Sequence, residues 1–159
     1  MGTENRNPGI IEKFRQLWLA YFLQSVLASL NIMIIVLVVG SEASVVIASM
    51  GATCFICFAL PQSASAKTRN VIGGHLVGLF SGAIFWFVGW PYWLEFSVVA
   101  GLAIFLMVAL DVEHAPAVGT ALAVRMQQVD PGIAVTIMIG AVVISQTRYF
   151  LRRYLKDLL

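Results

Sequence analysis

Apolar residues in this chain come in blocks, and polar residues mark the seams between them. The first block covers residues 17–39 and is interrupted by Gln24 and Asn31, which stand seven apart and so share a helix face. Its length suits a helix crossing roughly 30 Å of hydrocarbon. It exceeds a signal-peptide core and shows no clear small-x-small cleavage site, so it reads as a retained membrane helix. A turn, Gly40-Ser41-Glu42-Ala43, leads into a second block at 45–60, with Ser44 placed to cap it and Pro61 to end it. This block is short, and its first half is built from small residues: Ala48, Ser49, Gly51, Ala52 and Thr53. Such a surface permits close approach of a helix or a ligand. A third block, 71–89, carries Gly74, Gly78 and Gly82 at every fourth position, a ridge for close packing or for backbone facing a substrate. Trp86, Trp90, Tyr92 and Trp93 around Pro91 form an interfacial aromatic belt, and a fourth block follows at 96–110. Then comes Asp111-Val-Glu-His114 and a small-residue apolar stretch, too short to cross as a helix alone, ending at Arg125. Asp130-Pro131 is a helix start, and the last block is 132–147. Its helix is expected to continue into Arg148, Arg152, Arg153 and Lys156 as a basic interfacial end.

The pattern therefore predicts an all-α, polytopic membrane bundle. It has four long spans and two short or broken segments, 44–60 and 114–124, arranged as two inverted three-segment halves, 17–89 and 96–147. Residues 1–16 are a polar cytoplasmic tail or interfacial helix, 17–147 one transmembrane domain, and 148–159 the basic cytoplasmic helix end. Composition agrees: the chain is 60% hydrophobic and 11% charged, against roughly 45–50% and 25% in soluble domains. A soluble fold of 159 residues could not cover that apolar surface. The formal net charge of +2 is too small for a nucleic-acid footprint. Charge instead orients the chain. If all six segments cross, Arg6, Lys13, Arg15, Lys67, Arg69, Arg148, Arg152, Arg153 and Lys156 fall on the cytoplasmic side and Arg125 alone on the other. Two short segments at matching places in inverted halves are the sequence pointer to a transport site.

Few residues carry chemistry. His75 is ionisable within a span, and His114 leads the second short segment with Pro116 just inside the following half-helix. Free backbone N–H groups after His114 would favour an anion, with the hydroxyls of Thr53 and Thr120 adding donors. Either histidine could instead serve only as a cap or an interhelical hydrogen bond. Gly51 and Gly119 open the two short segments to close approach, and Arg69-Asn70 could form an electropositive vestibule or a solvated loop. Glu42, Glu95, Asp111 and Glu113 near span ends read as wet, with Asp111 and Glu113 available to Arg69 or His114. Cys54 and Cys57 read as small buried hydrophobes, since no nearby ligand completes a metal site. No catalytic order of nucleophile, base and acid and no phosphate loop is evident, so neither an enzyme nor a cofactor is expected.

The runs Ala48-Ser-Met-Gly-Ala-Thr53, Arg69-Asn-Val-Ile-Gly-Gly-His75 and His114-Ala-Pro-Ala-Val-Gly-Thr-Ala-Leu122 resemble the HPP family of integral membrane proteins over roughly residues 15–150. The family's His-Pro-Pro motif, usually followed by Ala-Gly-Ala-Thr-Ala-Leu, has Ala115 at its middle position here, and Val118-Gly119 replaces Gly-Ala. The family is usually described with four spans. Plant chloroplast and cyanobacterial relatives are implicated in nitrite transport. The resemblance implies a transporter or channel for a small monovalent anion such as nitrite; the residues read above as candidates to bind it are His75, His114, Thr53, Thr120, Gly51, Gly119, Arg69 and Asn70. Expected partners are a small inorganic anion, the lipid bilayer (a bacterial inner membrane) and further copies of the chain, needed to cover the glycine ridge. The alternative is a non-transporting assembly or sensory subunit with the basic C-terminal helix as its output.

Overall fold

The computed structural model describes residues 9–39, 43–127 and 131–159; the expected turn at Gly40-Ser41-Glu42, the Asp130 cap and the Arg6 end of the tail lie outside them. The described residues form six α-helices: α1 Ile10–Val39, α2 Ser44–Ala59, α3 Thr68–Ile84, α4 Tyr92–Ala109, α5 Pro116–Gln127 and α6 Pro131–Leu151. A 3-10 turn, Ala64–Ala66, lies between α2 and α3.

Three helices, α1, α4 and α6, are long and apolar enough to cross a membrane. Helix α1 begins earlier than the first apolar block, so residues 10–16 are helical and continuous with it, the helical one of the two readings of this stretch. Glu12, Lys13, Arg15 and Gln16 are sound helix formers, and Glu12 sits favourably in the first turn. Helix α3 stops at Ile84 instead of 89, where Trp86 and Val88 make turn bonds to the carbonyls of Ala83 and Phe85. Pro91 disfavours helical backbone in the residue before it, which keeps this seam open. At 17 residues α3 reaches only about 25 Å, so the expected fourth long span is a short one. Ser44 is the first residue of α2, with Ala43 before it making no side-chain cap.

Helices α2 and α5 cross at the centre, and α3 and α6 also meet. Helix α1 rests on α2 and α6, while α4 rests on α5 and α3; α3 lies along α5, and α6 along α2. One core gathers Met50, Phe58, Ile137 and Ile144, the other Val99, Ala103, Met107, Ala117 and Ala121. The glycine ridge is filled by α5 of the same chain. A Cβ on Gly78 would stand 2.5 Å from the Ala117 carbonyl oxygen, and one on Gly82 2.5 Å from that of Ala121. No second copy is needed to cover it. Trp18, Phe22, Phe105, Ile139 and Phe150 face outward over half exposed, as a lipid-facing surface requires. Cys54 and Cys57 are free and buried.

Polar ties hold the two ends of the bundle. At one end Arg125 forks onto both carboxylate oxygens of Glu95 and reaches the Val88 carbonyl. Glu95 is 1% exposed, so the wet position expected for it is replaced by a buried ion pair. At the other end Arg148 donates to the Pro61 carbonyl. There the chain also departs from the expected basic helix: α6 ends at Leu151, and the following residues fold back. The Gln24 amide donates to the carbonyls of Phe58 and Lys156 and accepts from the Lys156 N–H. Leu158 N–H donates to the Ala59 carbonyl, Tyr21 to that of Leu158, and Leu155 and Leu158 are buried. The polar Gln24 on an apolar helix is thus a clasp for the C-terminal segment.

Candidate functional site

The lead into α5 is shaped by the end of α4. Val112 N–H reaches back to the Met107 carbonyl and Asp111 N–H to that of Val108, the paired bonds of a Schellman turn. The turn puts Asp111 at φ +55°, where glycine is usual and aspartate is tolerated. Arg69 locks it, donating to the Asp111 carboxylate at 2.6 Å, the Asp111 carbonyl at 2.5 Å and the Leu110 carbonyl at 3.3 Å. A cation on the last carbonyls of a helix is electrostatically favoured. Asn70 donates to the Glu113 carbonyl, and the chain then delivers His114 into the interior. A Cβ on Gly74 would lie 2.6 Å from the His114 Cβ, so glycine there is what admits the histidine.

The first N–H groups after His114 do not form an open anion cradle. Pro116 has none, and Ala117 and Val118 donate to the carbonyls of His114 and Ala115. The Ala117 and Val118 donors are spent on the chain's own turn. What fills the crossing is side chains. His75, His114, Thr53 and Thr120 are each 0% exposed and Ser49 4%. Ser49 lies on α2 where Gly119 lets α5 approach, a Cβ at Gly119 standing 3.2 Å from that of Ser49.

Proton counting assigns their bonds. His114 Nδ1 is 2.8 Å from the Ser65 carbonyl oxygen, which can only accept, so Nδ1 carries the proton. With one proton per ring, His114 Nε2 is bare and accepts from Thr53 Oγ1 at 3.2 Å. The Thr53 proton is shared with the Ser49 carbonyl one turn back, 3.0 Å away. Thr53 has no other proton, so His75 Nε2–H donates to it at 3.0 Å. His75 Nδ1 is then bare and accepts from Thr120 Oγ1 at 2.8 Å. Thr120 accepts in turn from Ser49 Oγ at 2.9 Å, whose proton is shared with the Pro116 carbonyl at 2.8 Å. The rings stand edge to face with centroids 5.2 Å apart. All donors point one way, from Ser49 to Ser65.

Of the residues expected at a site, His75, His114, Thr53 and Thr120 come together, with Gly119 at their edge. Arg69 is mostly exposed and, with Asn70, positions the lead instead of facing the cluster. Gly51 faces Ile32 of α1, away from it. Ser49 and Ser65 were not expected. Ser49 stands four residues before Thr53, hence on the same helix face, which is the signal that could have found it; Ser65 has no signal in the sequence. A cleft of about 250 Å³ beside His114 is lined by Ile104, Met107, Val108, Glu113, Ala115 and Val118.

A family model described as HPP, transmembrane region, matches residues 12–156. The chain belongs to the HPP transmembrane family. No curated protein and no solved structure matches it. The HPP-type run His114-Ala115-Pro116 is the lead and first residue of α5. Ala115, the position that departs from the motif, is exposed, and its carbonyl accepts the Val118 N–H. The change at Ala115 therefore lies off the buried cluster, which uses the His114 side chain and the Pro116 carbonyl, whereas the displaced glycine, Gly119, lies at the cluster's edge against Ser49.

Proposed function

We propose that this HPP-family protein moves a small monovalent anion, with nitrite the first to test, across the bilayer at the crossing of α2 and α5. The observation that carries the reading is the buried cluster itself. Two imidazoles, two threonines and a serine sit inside a membrane bundle, and among the described residues no carboxylate is a hydrogen-bond partner of theirs. Neutral donors in a site of low dielectric stabilise a single negative charge without trapping it as a fixed cation would. The cluster is closed on itself, so an entering anion takes over bonds that the side chains now give one another.

The reading includes six crossings in two inverted halves. Exchanging α1 with α4, α2 with α5 and α3 with α6 carries each principal helix contact onto another, which supports the repeat. The second helix of each half is the short one, as in transporters with a midplane site. In this arrangement Arg125 is the sole basic residue at its end of the bundle, and both termini are cytoplasmic. The alternative of a sensory or assembly subunit loses its main support, because the segment proposed as output is folded back onto α1 and α2.

The test is anion uptake into liposomes holding the purified protein. Uptake of nitrite above that of empty liposomes is expected. No uptake across several monovalent anions and several pH values would overturn the reading.

A further inference from the structure

We propose that Ser49, Thr120, His75, Thr53, His114 and Ser65 form a proton relay linking the buried crossing to the loop surface at Ser65. Each neighbouring pair lies within 3.3 Å, and the two rings bridge the hydroxyls through both of their nitrogens. One end, Ser49, is buried beside Gly119; the other, Ser65, is partly exposed. None of the described hydrogen bonds of these six side chains goes to a charged group, so no fixed ion pair arrests a moving proton. The charged neighbours at the mouth are Lys67, Arg69, Asp111 and Glu113, all exposed.

The step balances. A proton delivered to Ser49 Oγ by water that enters when the crossing opens, leaving hydroxide or a deprotonated acid behind, sends the serine's own proton to Thr120, and Thr120 passes its proton to His75 Nδ1. His75 releases its Nε2 proton to Thr53, which passes its own to His114 Nε2. His114 releases its Nδ1 proton to Ser65 Oγ, 3.3 Å away, and the Ser65 proton leaves to water at the loop. One proton has entered and one has left, as many N–H and O–H bonds form as break, and both rings now carry their proton on the other nitrogen. The chain then points in reverse, with a bare His114 Nδ1 facing the Ser65 carbonyl oxygen, so this state is the higher in energy and draws a proton back in from the loop. Turning both rings back in place is opposed by their complete burial. Net proton movement therefore requires the bundle to open, which ties it to passage of the anion. This coupling rests on the anion reading; the relay itself does not.

The relay is tested on the full chain in lipid nanodiscs with 15N-labelled histidine, by relaxation dispersion that follows interconversion of the Nε2–H and Nδ1–H forms of His75. We expect both forms in exchange, with His114 changing together with His75. Ser65→Ala keeps the Ser65 carbonyl that holds His114 but removes the exit hydroxyl, and should leave His75 in its Nε2–H form alone. Thr53→Val should also stop the interconversion, from the middle of the chain, and if it does not fold, Ser65→Ala decides alone. A single His75 form in the native chain, or interconversion unchanged in Ser65→Ala with the backbone spectrum intact, overturns the relay. The coupling is read with a pH dye inside liposomes: nitrite uptake should bring acid in with it. Nitrite uptake that carries current and no acid overturns the coupling and leaves the anion reading standing. Absence of uptake of every monovalent anion tried overturns the anion reading and the coupling together, and the histidine spectrum still judges the relay.

Discussion

Gly78→Ala is the substitution in which packing and site should fail together. A Cβ there would stand 2.5 Å from the Ala117 carbonyl oxygen and 3.2 Å from the Thr120 Cβ. An ordinary carbon–oxygen contact needs about 3.3 Å, so α3 and α5 must part by about 0.8 Å. The His75–Thr120 hydrogen bond spans this same contact at 2.8 Å. Lengthened by that amount it reaches about 3.6 Å, where it is no longer a hydrogen bond. Overpacking costs about 1–3 kcal/mol and the orphaned ring nitrogen about as much, offset by about 1 kcal/mol of better helix propensity. The net loss expected is about 1–5 kcal/mol. Reversible unfolding in mixed micelles measures it, with Gly101→Ala as the control, because a Cβ at Gly101 meets nothing within 4 Å. Gly101→Ala should be neutral or slightly stabilising. Equal stability of the two variants, with the His75 nitrogen resonances of Gly78→Ala unchanged, would refute the reasoning.

Thr53→Val keeps the shape of the crossing but leaves both Nε2 atoms unpaired; unfolding should show a loss of about 2–4 kcal/mol, and Thr53→Ser should restore most of it. Arg125→Met leaves the Glu95 carboxylate buried and alone, costing about 2–4 kcal/mol, below the full range for a buried pair because Arg125 keeps some solvent. The double variant Arg125→Met/Glu95→Leu should recover most of that loss in the same melt. Gln24→Leu removes the amide that pairs with Lys156, and trypsin should cut after Lys156 about tenfold faster.

The fold was legible where apolar blocks meet polar seams. Pro61, Pro116 and Pro131 mark true helix boundaries, and the short helices α2 and α5 follow from the spacing. The end of α3 was not legible, because the aromatic residues 85–87 continue the apolar pattern after the helix has turned. The folded-back C-terminal segment was hidden too: Leu151, Leu155 and Leu158 keep the spacing of a continuing helix face, and only Gln24, a polar residue on an apolar helix, hinted at a partner. In the site, His75, His114, Thr53 and Thr120 stand out because polar groups within membrane segments are costly and need a reason. Arg69 is visible as a loop cation, but its target depends on the positive φ of Asp111, which no local pattern announces. Of the backbone donors expected after His114, those of Ala117 and Val118 are consumed in the structure by a turn.

The measurement that tests the central claim most directly is nitrite uptake by liposomes reconstituted at equal density with the native chain, His75→Ala and His114→Ala. The account predicts uptake by the native protein and loss of most of it in both variants, with each variant still inserted and folded. Native uptake left unchanged by both substitutions would contradict it.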